Sequence, residues 1–203
     1  MVYMRRTLVP SLLHVLAKNK NYDTFRIFEI ANIYEHRANN LPDERLKFAG
    51  VIKKNNISFF EIKGLIEQLL HDLGITNLIF KPLGEGEGAS IFIDKEYLGD
   101  IEILDNQTID FELEFTVMLK HATAHKVYKP ISKYPAVIED LAINAAANVT
   151  IEDMIQEIKK QSDLIREVSL LDKYEDTRTF HIEYQSYQKN LTSEDVVPVR
   201  MKI

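Results

Sequence analysis

The chain has 203 residues, no cysteine, 45% hydrophobic and 28% charged residues, and a formal net charge of −6. Disulfides and thiolate metal sites are therefore excluded, and so is a generic nucleic-acid binder, whose affinity comes mainly from neutralised phosphates; contact with nucleic acid would need a local patch or a partner. No apolar run reaches the ~20 residues of a membrane-spanning helix, and the opening MVYMRRTLVPSLLHVLAKN, broken by Pro10, Ser11 and His14, is not a signal peptide, so a cytoplasmic protein without a membrane partner is expected.

Pro10 suits a first helical turn, and Leu12, Leu13, Val15 and Leu16 give the apolar stripe of a short helix ended by KNKNYD. FRIFEIANIYEH alternates and reads as a strand, and LKFAGVI as a second. SFFEIKGLIEQLLHDLGI is the best-marked helix. Ser58 and Glu61 form a capping box, seven apolar residues from Phe59 to Leu73 recur at helical spacing, and Gly74 supplies a left-handed stop. NLIFKPL, ASIFID, YLGDIEIL and IDFELEFTVML follow as short alternating segments of an antiparallel sheet.

HATAHKVYKPISKYP is polar and basic with two prolines, and it divides the chain into domains 1–125 and 126–203. Beyond it PAVIEDLAINAA reads as a strand. TIEDMIQEIKK is a helix capped by Thr150, with Ile151, Met154, Ile155 and Ile158 on one face. LIREVSLLDKYED and RTFHIEYQSYQ are two more strands, and LTSEDV opens a helix capped by Thr192 with Asp195 three positions on. That order is the ferredoxin-like split βαβ unit, βαββα(β), lacking its last strand. The fold class is α+β. Pro198 falls inside the last helix, where it would remove a hydrogen bond and clash at roughly 3 kcal/mol. Val197, Val199, Met201 and Ile203 then alternate, which predicts a strand after a single helical turn; otherwise the chain stops before its final helix and strand are complete.

GEGEGASIF, residues 84–92, imitates a phosphate cradle. Glu85 and Glu87 would repel the anion, a strand follows where a helix N-terminus is needed, and no Walker lysine is present. The stretch reads as a turn before a strand. His121 and His125 have helical metal-ligand spacing without a third ligand pattern nearby, so no metal site is expected. Glu139–Asp140 and Glu175–Asp176 are neighbours that a strand would point to opposite faces, a poor acid–base couple. With no serine elbow and no cysteine nucleophile, an independent active site is not expected.

Several segments resemble the β subunit of bacterial phenylalanyl-tRNA synthetases. MRRTLVPSLLHVLAKNKNYDTFRIFEIANIY is similar to that family's Met-Arg, Leu-Leu-Pro and Arg-Leu-Phe-Glu-Ile-Gly pattern, and FFEIKGLIEQLLHDLGI to its Phe-x-x-Leu-Lys-Gly-x-x-Glu-x-Leu-Leu helix. ASIFIDKEYLGDIEIL resembles its glycine-marked hairpin, without the usual His-Pro that follows. KPISKYPAVIEDLAI resembles the opening of its ferredoxin-like anticodon-binding domain, and QKNLTSEDVV its Arg-Thr-Leu-Thr-x-Glu-x-Val helix start. The looser glycine pattern shared with class II synthetases, Gly-x-Gly-x-Gly-x-x-Arg, places Ile91 where their ATP-binding arginine stands.

The resemblance implies a C-terminal portion of that subunit, with its N-terminal tRNA-binding fold, editing domain and magnesium-binding region absent, whether by cloning or by a shortened gene. Residues 1–125 would be a class II synthetase-like non-catalytic module docking the catalytic α subunit, and 126–203 the domain that reaches tRNA-Phe. No cofactor is implied in this segment, while ATP and magnesium are expected of the whole ligase. Glu139 before Asp140 and Leu141 replaces the family's arginine, and Asn190 replaces another; both losses of charge bear on anticodon binding.

For RNA contact, Phe180, Ile182 and Tyr184 are expected beneath helices, leaving His181, Gln185 and Tyr187 free to stack on unpaired bases. Lys173, Arg178 and Lys189 lie near the strand's ends and would hold phosphates, while Lys133 and Tyr134 enter by their place in the family-like opening. All eight equally suit ordinary solvated or linker positions. Rival readings are a non-catalytic protein–protein adaptor derived from the same scaffold and an unrelated α/β enzyme.

Overall fold

The computed structural model describes residues 4–84, 87–125, 130–146 and 149–203. The chain forms two units, residues 1–126 and 127–203. In unit 1, α1 (Val9–Lys18), β1 (Phe25–Glu35), β2 (Asp43–Lys53) and α2 (Phe59–Asp72) precede β3 (Leu78–Pro82), β4 (Gly88–Ile93), β5 (Glu96–Ile103), β6 (Thr108–Glu114) and α3 (Phe115–His121). The six strands form one antiparallel sheet in the order β1-β2-β6-β5-β4-β3.

Strand β6 decides what each face does. Ile109, Phe111 and Leu113 join Ile62, Ile66 and Leu70 of α2 in the main core, and each such side chain contributes about 1.5–3 kcal/mol by burial. Asp110, Glu112 and Glu114 point the other way, because strand side chains alternate. On that second face α1 covers β1 and β2, with Leu8 and Leu12 against Ile33, Ala49 and Val51. Glu112 ties α1 down: its Oε1 accepts from the Thr7 hydroxyl at 2.8 Å and the Leu8 amide at 2.7 Å.

The helix over 59–72 has the expected cap in half. Ser58 accepts from the Glu61 amide, but the Glu61 carboxylate does not reach back; Lys54 holds it at 2.9 Å. A cation beside the first turn outcompetes a neutral backbone N–H for a carboxylate. Gly74 follows with φ +81°, and a Cβ there would stand 2.6 Å from Thr123. Gly88 opens β4 with φ +151°, where a Cβ would meet the Ile101 carbonyl at 2.0 Å. Of the glycine-rich stretch, Glu85 and Gly86 lie outside the described residues.

Two expected elements need correction. IDFELEFTVML is not all strand: it turns into α3 at Phe115. Phe115, Val117 and Leu119 alternate in sequence, but Met118, three residues after Phe115, is the buried one, and Leu119 is exposed. The helix ends at His121, so His121 and His125 do not share a helical face; His121 Nε2 instead meets Glu96 at 2.8 Å.

Unit 2 runs β7 (Val137–Asn144), α4 (Ile151–Lys160), β8 (Ile165–Tyr174), β9 (Thr177–Tyr184) and α5 (Ser193–Arg200), with an antiparallel sheet in the order β7-β9-β8. Of the basic stretch before it, residues 126–129 lie outside the described residues. Thr150 and Thr192 both cap as expected, and Thr192 with Asp195 completes a reciprocal box. The second correction is at Pro198. The helix continues through it to Arg200 because Val196 and Val199, at helical spacing, are buried in the core while Val197 and Met201 are exposed. Two buried valines at about 1.5–3 kcal/mol each offset the roughly 3 kcal/mol that proline costs a helix.

Burial pushes the Asp110 carboxyl up to about 7, helped by Glu102 and then Glu112. Its folded value lies above its unfolded one, so the stability it contributes is complete in acid and is lost as pH rises from the ordinary carboxylate range through about 7. Asp110→Asn is therefore expected to raise stability by roughly 2 kcal/mol in mildly alkaline buffer and to change it little in acid, as read by urea unfolding at several pH values. In unit 2, Thr192→Ala should cost about 1 kcal/mol in the same measurement.

Candidate nucleic-acid interface

Strand β9 sorts the side chains of unit 2 as β6 does in unit 1. Phe180, Ile182 and Tyr184 are fully buried beneath the helices. Thr177, Thr179, His181 and Glu183 face the open side. Register then builds rows across the sheet: Asn144–Thr177–Tyr174, Ala142–Thr179–Asp172, Asp140–His181–Ser169 and Ile138–Glu183–Glu167.

His181 stands at the middle of that surface. Its Nδ1 lies 2.7 Å from Asp140 Oδ1, and since a carboxylate only accepts, Nδ1–H donates. The ring is thus held by Asp140 and partly exposed on the open face. Gln185 follows the strand's last residue and is occupied: Nε2 donates to the Tyr134 carbonyl at 2.7 Å and Oε1 accepts from Arg166 at 2.8 Å. It binds the 132–134 segment to the sheet, together with the Ser132 hydroxyl on the Ser186 carbonyl. Tyr134 is half-buried and Lys133 exposed. Tyr187 lies past the strand, 67% exposed.

The three proposed phosphate holders differ. Lys173 is exposed at the β8–β9 turn. Lys189 meets Asp195 at 2.5 Å, and it and Thr192 hold that carboxyl at about 2, so a phosphate would compete with a fixed partner. Arg178 is only 4% exposed, and its Nη1 donates to the Ala145 and Asp176 carbonyls at 2.8 and 3.0 Å. It locks a turn, so its assignment as a phosphate contact is corrected. The eight residues do not form one cluster. Arg178 and Lys173 lie at the turn end of β9, and Lys133, Tyr134, Gln185, Tyr187 and Lys189 at the other, about 23 Å apart at strand rise.

Sequence reasoning missed Tyr174, 71% exposed on the open face. Alternation from Val168 and Leu170 would bury it, but a bulge between Leu170 and Asp172 reverses the parity and turns Asp172 and Tyr174 outward. The charge at Glu139 was also misplaced. It pairs with Ile182 on the helix-covered side, and its Oε1 accepts from Arg200 Nη1 at 3.0 Å, so that reversal leaves the open face untouched. The open face is acidic for another reason: Asp140, Glu167, Asp172 and Glu183 all lie on it. Residues 130–203 hold 13 carboxylates against 9 lysines and arginines.

Residues 1–119 match the family described as Phenylalanyl tRNA synthetase beta chain CLM domain, and residues 132–203 the Ferredoxin-fold anticodon binding domain. Among curated relatives, the phenylalanine–tRNA ligase beta subunit of Clostridium tetani is 28% identical over 98% of this chain and 29% of its own length. That of Carboxydothermus hydrogenoformans is 26% identical over 95% and 29%, and that of Fusobacterium nucleatum 29% identical over 86% and 26%. The chain spans less than a third of the curated relatives it matches. A solved pyrrolysyl-tRNA synthetase from Desulfitobacterium hafniense overlaps 57% of this chain and 48% of its own, at 14% identity and a TM-score of 0.48. The two matched stretches together cover nearly all of the sequence, and the chain belongs to the phenylalanyl-tRNA synthetase beta chain family.

Proposed function

We propose that this chain acts as a portion of a phenylalanine–tRNA ligase β subunit, docking a catalytic α subunit through unit 1 and helping to bind tRNA-Phe through the open face of unit 2. It performs no chemistry itself; ATP and magnesium act in the whole complex. The observation that carries the reading is the open face of β7-β9-β8, where exposed Tyr174 and a fixed His181 ring stand on a sheet matched to an anticodon-binding description. For docking, unit 1 exposes Phe28, Ile30 and Phe60, the first 70% accessible, a set of apolar groups suited to a protein partner.

Four carboxylates on the face make it a poor phosphate track. Bases therefore make the contact: stacking on an aromatic ring contributes about 1–3 kcal/mol per base and needs no cation. The RNA backbone runs instead along the rims, near Lys133 and Lys173. Because few phosphates are neutralised, the affinity of this chain alone is modest, and the rest of the complex supplies the remainder.

An adaptor without RNA function is the second reading, favoured by the same acidic surface. Binding of a tRNA-Phe transcript against salt separates the two: a measurable slope of about two or three phosphates supports contact, and weak binding with a flat slope supports the adaptor. Tyr174→Ala is expected to weaken tRNA-Phe binding roughly 5- to 100-fold while Tyr174→Phe keeps it; an alanine variant that folds and binds as well as the parent contradicts the base-stacking reading. In ATP–pyrophosphate exchange, the chain alone should show no phenylalanine-dependent turnover, and turnover by a preparation free of α subunit would overturn the non-catalytic assignment.

A further inference from the structure

The six-stranded sheet of unit 1 has β1 at one edge and β3 at the other. β3 is blunted: it is five residues long and ends in Lys81 and Pro82, a cation and a residue without an N–H. β1 carries neither device. It runs eleven residues against β2 without a register shift and contains no lysine or proline.

Two contacts reveal which backbone groups of β1 point outward. The Asn32 carbonyl accepts from Arg5 Nε at 3.1 Å, and the Tyr34 amide donates to the Arg5 carbonyl at 2.8 Å. In an antiparallel strand the N–H and C=O of one residue point to the same side, and the side alternates along the chain. The backbone groups of Arg26, Phe28 and Ile30 therefore point outward as well. Arg5 closes the edge at Asn32 and Tyr34, and among the described residues no backbone group bonds Arg26, Phe28 or Ile30 on that side. The side chains of these three share one face. The exposed Phe28 ring is braced from below, edge to face at 5.9 Å on Phe48, which packs in turn at 5.2 Å on Phe111 of the core.

We propose that a second copy of this chain pairs with this edge, β1 to β1, about a two-fold axis at Phe28. The free segment is symmetric about that residue: Phe28 faces its own copy, and Arg26 faces Ile30 on both sides of the axis. Each of these pairs exchanges two hydrogen bonds, so every outward backbone group from Arg26 to Ile30 is satisfied. Registers centred one residue away leave a pair unmade. Around Glu29 the third pair would need Asn32, which Arg5 holds, and the two Glu29 carboxylates would oppose each other. Around Ile27 it would need Thr24, which precedes the strand. Centred on Phe28, no like charges stand opposite. Ile27 then faces Glu29, whose carboxylate is neutralised by Arg5 Nη1 at 2.8 Å, and two aromatic rings meet at the axis. The inference shares Phe28 and Ile30 with the docking surface proposed above, so a second copy and an α subunit compete for this edge.

Sedimentation equilibrium of the full chain, without α subunit or RNA, tests this. The mass is expected to rise with concentration from 23.5 kDa toward twice that value. Phe28→Lys, which opposes two ammonium groups at the axis, should hold it at the monomer value, whereas Phe60→Ser on α2 should leave the rise intact. The chain has no cysteine, so single cysteines report the register. Across the axis the two copies of position 28 stand about 5.5 Å apart, within disulfide reach, and those of position 30 roughly 14 Å apart. Oxidation is expected to give covalent dimers with Phe28→Cys and not with Ile30→Cys, a readout that decides the matter even where Phe28→Lys fails to fold. A chain that stays monomeric at every concentration overturns the proposal. So does a dimer that survives Phe28→Lys, or equal cross-linking at the two positions. Each of these results leaves the α-subunit reading standing, because that reading is tested by adding the catalytic subunit.

Discussion

Period-two alternation on two central strands is the constraint on which this structure rests. In β6 it sends Ile109, Phe111 and Leu113 to the helix side and Asp110, Glu112 and Glu114 to the other. In β9 it does the same with Phe180, Ile182 and Tyr184 against Thr179, His181 and Glu183. A slip of one residue in either strand would turn its polar side chains into the helix-covered core and its apolar ones away from it. Unit 2 thus has one apolar face that folds it and one polar face left for other work, whereas in unit 1 the second face is shared between an apolar patch under α1 and the carboxylates of β6.

The two polar faces have different characters. In unit 1 the carboxylates are mostly engaged: one anchors the start of α1, another holds Lys47, and a third takes two hydroxyls. In unit 2 they stand in the open, with His181 held by Asp140 and few cations beside them. Such a surface disfavours a phosphate backbone and still permits flat contact between rings. A module of this kind suits a complex in which other parts supply the electrostatic attraction.

Much of the fold was legible in the sequence because its signals are local. Ser58, Gly74, Thr150 and Thr192 mark helix ends through hydrogen bonds or backbone angles made within a few residues. The errors have non-local causes. Pro198 is tolerated because Val196 and Val199 pack into a core that the helix alone does not reveal. Tyr174 faces outward only because a bulge shifts the parity of β8. Arg178 is held by two carbonyls of neighbouring turns, and Glu139 lies opposite Arg200, 61 positions along the chain. The order of elements was readable; which side of a strand carries a given charge depended on pairing.

Carboxylate footprinting of the chain with and without a tRNA-Phe transcript tests the central claim most directly, since the face in question is rich in carboxyl groups. The account expects protection of Asp140, Glu167, Asp172 and Glu183 on the open sheet of unit 2, with Glu152 and Glu157 of α4 labelled as before. Unchanged labelling of that face, with protection confined to α4 or to unit 1, would contradict it.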